Sequence, residues 1–117
     1  MEGETERPER MDWTGRDCIL ILDSECGCVL EVNPFLTALL GFSREKLRGR
    51  RIGDLGVFGD KAQAEALFEK VRREGYANCS DMILRTRGGD TIPVEFVGNS
   101  YLVDRKAVIQ FNLCDRR

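Results

Sequence analysis

A chain of 117 residues supports one domain around a single modest core. Its 18 basic and 20 acidic residues leave a net charge of −2, which excludes a field able to hold nucleic acid by electrostatics alone. Hydrophobic residues make up 42%, yet no apolar run approaches the ~18 residues of a membrane span and no leader-like stretch opens the chain, so a cytoplasmic setting is expected.

Residues 1–16 are polar and charged without periodicity. They read as a flexible or helical lead-in, with Trp13 as the first large apolar group able to dock it. Ile19 to Asp23 and Cys28 to Val32 read as two strands. The turn Asp23-Ser24-Glu25-Cys26-Gly27 joins them, and Gly27 suits a positive φ. Asn33 is a good cap for a helix whose first residue is Pro34. Leu36, Leu39 and Leu40 share one face of that helix, and Gly41 stops it. Ser43-Arg44-Glu45 opens another short helix, with Leu47 inward and Gly49 as its stop. Helical segments continue to about Leu55.

The longest helix is expected from about Asp60 to Glu74. Asp60 with Gln63 resembles a capping box, and Ala64, Leu67, Phe68 and Val71 recur at helical spacing. Glu69 with Arg73 and Lys70 with Glu74 are i,i+4 charge pairs on the wet side. Three strands follow, at about Asn78 to Thr86, Thr91 to Tyr101 and Ala107 to Cys114. Turns at Arg87-Gly88-Gly89-Asp90 and Asp104-Arg105-Lys106 separate them. Ile92, Val94 and Phe96 alternate with Pro93 and Glu95, and Ile109, Phe111 and Leu113 alternate with Gln110 and Asn112. Period-2 alternation marks an antiparallel sheet with one buried face. The expected class is α+β: a five-stranded antiparallel sheet with short helices and one longer helix on one face.

This order of elements resembles the PAS domain family over about residues 17 to 115. The resemblance rests on the Asp23…Gly27 hairpin, Asn33 with its helix, the Leu40-Gly41-Phe42-Ser43 joint and the Glu45 to Arg50 segment. It continues through the Asp54-Leu55 turn, the long helix ending at Gly75 and the Arg85 to Glu95 hairpin. It implies a sensory and dimerisation module, excised from a bacterial-type signalling protein such as a sensor histidine kinase of a two-component system or a cyclic-dinucleotide enzyme. A homodimer, a small apolar ligand and an output domain such as a histidine kinase are the partners it implies. Residues 1–16 would then be the lead-in, 17–115 the PAS domain and 116–117 the start of an output linker. Asp115 matches the acidic residue that opens the family's signal exit, while Arg116 and Arg117 depart from its usual hydrophobic residue and threonine.

Catalysis is not expected. The chain has no histidine, so the commonest general base is missing. Ser43, Ser80 and Ser100 lack an activating partner, and Gly88-Gly89 reads as a turn rather than a phosphate loop. Asp54 and Asp60 read as helix caps. Arg48, Arg50 and Arg51 form a basic cluster flanked by Glu45 and Asp54, read as solvated surface. The five cysteines are odd in number and lack a zinc pattern, so structural thiols are expected and no metal. Cys26-Gly27-Cys28 would make a strained bridge. Cys18 and Cys114 are expected as neighbours on the first and last strands.

No cofactor is expected. Haem-binding relatives usually hold iron by histidine, and the light-sensing relatives carry a reactive cysteine in the helical region, whereas Asn78-Cys79 falls at a strand. A cysteine-held haem or a flavin bound by shape and stacking stays open. The space between helices and sheet is the candidate ligand site, lined by Leu36, Leu40, Leu55, Phe68, Met82, Phe96, Ile109 and Phe111. Leu39, Leu47, Ile52, Leu67, Leu84 and Val94 join them. The same pattern describes a filled core. The competing functional reading is a ligand-free protein-interaction module that uses the outer sheet face, where Val97 and Val108 lie.

Overall fold

The computed structural model describes residues 18–116, so the lead-in with Trp13, and Arg117, lie outside the described residues. β1 (Cys18–Asp23) and β2 (Val29–Val32) pair antiparallel. Their hairpin closes because Asp23 N–H donates to the Cys28 carbonyl and Gly27 N–H to the Asp23 carbonyl, both at 2.8 Å. Gly27 adopts φ 74, which a residue with a Cβ resists. Asn33 caps α1 (Pro34–Leu40) by accepting from Leu36 N–H, and Pro34 occupies a position that needs no donor. Ser43 caps α2 (Arg44–Leu47) through Lys46 N–H. A 3₁₀ turn at Ile52–Asp54 leads to α3 (Lys61–Glu74), which buries Ala64, Leu67, Phe68 and Val71.

β3 (Tyr76–Arg85), β4 (Thr91–Val103) and β5 (Lys106–Asp115) complete a five-stranded antiparallel sheet in the order β2-β1-β5-β4-β3. The first strand thus lies at the sheet's interior beside the last. Leu20 and Leu22 of β1, Val94 and Phe96 of β4, and Ile109 and Phe111 of β5 turn inward. They share one apolar cluster with Leu36 and Leu40 of α1 and Leu67, Phe68 and Val71 of α3. The Phe96 ring lies 5.6 Å from Phe58 and 5.4 Å from Phe111, both in tilted pairs. Such pairs add about 0.5–1.5 kcal/mol each beyond their buried area. Gly98 admits the helix: a Cβ there would lie 2.8 Å from Val71 Cγ2 and 2.5 Å from Phe111 Cε1.

Several local expectations change. β3 begins at Tyr76 rather than Asn78, and β4 continues past Tyr101 because its pairing with β5 runs to Val103↔Lys106. The turn beyond is Asp104-Arg105, at φ 51 and 68. Two residues at positive φ match the twist of the flanking strands, and Lys106, expected in the turn, already belongs to β5. The α3 capping box is half made. Asp60 Oδ1 accepts from Gln63 N–H at 3.1 Å, but the Gln63 amide reaches Cys79 Sγ and Asp81 Oδ1 instead of returning to the cap. Glu69 pairs with Arg72 at 3.3 Å, one position short of the expected Arg73.

The expected contact between Cys18 and Cys114 fails. Cys18 pairs with Leu113 and turns into the core, whereas Cys114 pairs with Glu95 and is exposed on the outer face. One residue of register carries a side chain through the sheet, so the two Cβ vectors diverge and a bridge is excluded.

Candidate functional site

The eight candidate lining residues converge. Leu36, Leu40, Leu55, Phe68, Met82, Phe96, Ile109 and Phe111 all belong to the buried cluster between helices and sheet, and Leu39 packs against its edge. Two of them also reach surface openings. Phe68 forms part of a depression of about 200 Å³ between the β1–β2 hairpin and α3, shared with Glu25, Cys26, Gly27, Arg51, Ile52, Gly53, Glu65 and Glu69. Leu40 lines an open groove with Leu39, Gly41, Thr86 and Ile92, between the end of α1 and the β3–β4 turn.

The depression is built by close backbone approach. Gly27 lies over Phe68, where a Cβ would come within 3.3 Å of the ring. The Glu65 carboxylate packs against Gly53, so a side chain at that position would displace it. Arg72 Nε donates to the Ser24 carbonyl at 3.0 Å and holds α3 to the hairpin. Three carboxylates and one guanidinium rim an aromatic wall, a surface suited to a polar group with an apolar body.

Electrostatics concentrates at the same hairpin. The Asp23 carboxylate accepts from Glu25 N–H at 2.8 Å and faces Lys106 Nζ at 3.1 Å, and these hold its pKa below the ordinary value. Lys106 is raised by the same pairing. The Cys28 thiol is raised chiefly because it is hydrogen-bonded to the Cys26 sulfur. Farther away, burial and the Asp81 carboxylate push Cys79 up, and its Sγ donates to Asp81 Oδ1 at 2.9 Å. Both shifts favour the protonated thiol.

The outer face carries a feature the sequence reading missed. Tyr101 Oη donates to Gln110 Oε1 at 2.8 Å, and Gln110 Nε2 donates to Asn112 Oδ1 at 2.8 Å. Gln110 and Asn112 alternate with inward residues, so period 2 was the signal that could have found the strip. Ile19 and Val108 share that face and are buried, and Ile21 and Val97 are half-buried. Asp115 ends β5 opposite Val94, and Arg116 N–H donates to the Pro93 carbonyl at 2.9 Å.

A sequence profile of the PAS domain matches residues 16–114. The chain belongs to the PAS domain family. No curated protein matches it. Among solved structures, the PAS domain of an HTR-like protein from Haloarcula marismortui is 19% identical, covers 96% of this chain and 99% of its own, and superposes with a TM-score of 0.71. The PAS domain of nitrogen regulation protein NR(II) from Vibrio parahaemolyticus is 16% identical, with coverage of 95% and 99% and a TM-score of 0.73. A PAS domain from a two-component sensor histidine kinase is 14% identical, with coverage of 94% and 100% and a TM-score of 0.71. At these identities the likeness is one of fold. In this PAS domain the described residues hold no group of three or more cysteine, aspartate or glutamate side chains that could bind a metal ion. Among them no helix is long and apolar enough to cross a membrane.

Proposed function

We propose that this chain is a sensory, signal-relaying PAS domain of a signal-transduction protein, such as a sensor histidine kinase or a cyclic-dinucleotide enzyme. Membership of the PAS family over residues 16–114 carries the reading. Signal would enter either as a small ligand between the helices and the sheet or as a change in a homodimer formed on the outer sheet face. It would leave through Asp115 into a linker that begins at residues 116–117, with residues 1–16 as a lead-in. The ladder bond from Arg116 to Pro93 supports this route, because it couples the chain's exit to the interior β4 strand. Among the described residues no cysteine is in a disulfide, which suits a reducing cytoplasm. The reading assigns no catalytic residue.

Native mass spectrometry of the purified chain tests the ligand route. A retained small molecule between helices and sheet, lost on Phe96 or Met82 substitution, is the expected outcome. An absorption spectrum without a visible band is expected as well, because no histidine offers itself to haem. A bare protein that resists every small-molecule library while binding a partner through Tyr101 and Gln110 would favour the ligand-free interaction module instead. The connected Tyr101–Gln110–Asn112 strip is the observation in favour of that second reading.

A further inference from the structure

Cys26 and Cys28 flank Gly27 in the β1–β2 turn, and Cys26 lines the Phe68 depression. Successive Cα atoms lie ~3.8 Å apart, so residues two apart come within or near the ~7 Å span a disulfide accepts. The left-handed Gly27 bends the chain and shortens that span. Backbone bonds hold the turn on both sides. Gly27 N–H donates to Asp23, and the Gly27 carbonyl accepts from Ile52 N–H, each at 2.8 Å. The Cys26 side is exposed and the Cys28 side half-buried. The Cys26 side chain is also the chief influence on the Cys28 thiol, raising its pKa.

We propose that Cys26 and Cys28 form a thiol–disulfide exchange site that takes a low-molecular-weight disulfide as co-reactant and closes a reversible Cys26–Cys28 bond. The exposed Cys26 sulfur, as thiolate, attacks one sulfur of the incoming disulfide. A mixed disulfide forms and one small thiolate leaves, taking up the Cys26 proton. Cys28 then loses its proton and attacks Cys26 Sγ, which expels the second small thiol. Two protein thiols and one small disulfide become one protein disulfide and two small thiols, so two electrons pass to the co-reactant. Cys28 suits the resolving role because it is half-buried two residues from the exposed Cys26, and the strand bridge to Arg51 brings a cationic residue beside the thiolate that forms.

The strain that argues against a permanent bridge argues for this reversible one. A strained bond is more easily reduced, and exposed strained pairs are the labile ones. The remaining cysteines offer no such pair. Cys18 is in the core, Cys79 is bonded to Asp81, and Cys114 faces away from Cys18.

The test uses the full chain with Cys114→Ser, which removes the other exposed thiol, and glutathione disulfide as the probe. Intact mass and peptide mapping after alkylation should show loss of two hydrogens and a bond between Cys26 and Cys28. Dithiothreitol should reverse it. Cys28→Ser should instead trap glutathione on Cys26, and Cys26→Ser should abolish ring closure. Circular dichroism of each variant confirms folding before exchange. A wild-type pair that keeps glutathione on Cys26 without closing, or that closes only after denaturation, would overturn the proposal. So would a native pair left wholly unmodified under conditions that oxidise a free dithiol peptide.

Discussion

Asn33 ties two elements with one oxygen. Its buried Oδ1 accepts from Ile19 N–H at 3.0 Å in β1 and from Leu36 N–H at 3.1 Å in α1. Asn33→Ala removes the cap and leaves a buried strand donor without that acceptor. It should cost about 2–3 kcal/mol and lower the melting temperature by roughly 10 °C, measured by thermal unfolding. Arg105 runs the other way. Its φ of 68 is strained for a residue with a Cβ, and it is exposed. Arg105→Gly should therefore raise the urea midpoint by the equivalent of about 0.5–1 kcal/mol, since glycine removes the left-handed penalty but adds chain entropy. An unchanged or lowered midpoint would show that another contact of Arg105 outweighs the strain. Neither effect is readable from residue type alone. Asn33 announces its cap through the following proline, but its bond to β1 depends on where the strand returns.

At the scale of elements, the seat of α3 on the sheet is set by an absence. Gly98 leaves room for Val71 and Phe111 side by side. Gly98→Ala should cost about 2 kcal/mol through overpacking. Val71→Ala in the same chain should be less than additive with it, because both changes act on one contact, and a double-mutant cycle by denaturant unfolding reads this. The β1 end and the β4–β5 hairpin are joined by Asp23 and Lys106. The Asp23 pKa is lowered in the fold, so its contribution is fully present above the unfolded value near ~4 and is lost as pH falls through the lower folded value. The Lys106 pKa is raised, so its share is present below the unfolded value near ~10.4 and is lost as pH rises beyond it. Asp23→Asn should flatten the acid limb of a stability profile below about pH 4, the ordinary carboxylate range. A variant whose acid limb matches the parent would remove Asp23 from the account.

For the whole molecule, the surface proposed for pairing is the outer sheet face. Val97 is half-buried there, beside the Tyr101–Gln110–Asn112 strip. If two copies pair on this face, Val97→Glu should convert dimer to monomer in light scattering, with an unchanged far-ultraviolet spectrum, by burying a charge in the contact. A parent chain that is already monomeric at high micromolar concentration would end the dimer reading. The inner face answers a different question. Its residues form one cluster whether they enclose a ligand or only each other, because apolar periodicity encodes burial and not the volume left over.

The fold was legible in the residues because its signals are local. Asn33-Pro34, Gly41 and Gly75 punctuate helices by their own conformational limits, and alternation along β4 and β5 names an inward face. These follow from a few neighbouring residues and survive any tertiary arrangement. The pairing of Cys18 with Leu113 rather than Cys114 and the reach of Gln63 to Cys79 were decided only by the assembled sheet. Register depends on how whole strands settle against a core. A shift of one residue reverses a side chain without altering any local signal, so these contacts exist only in three dimensions.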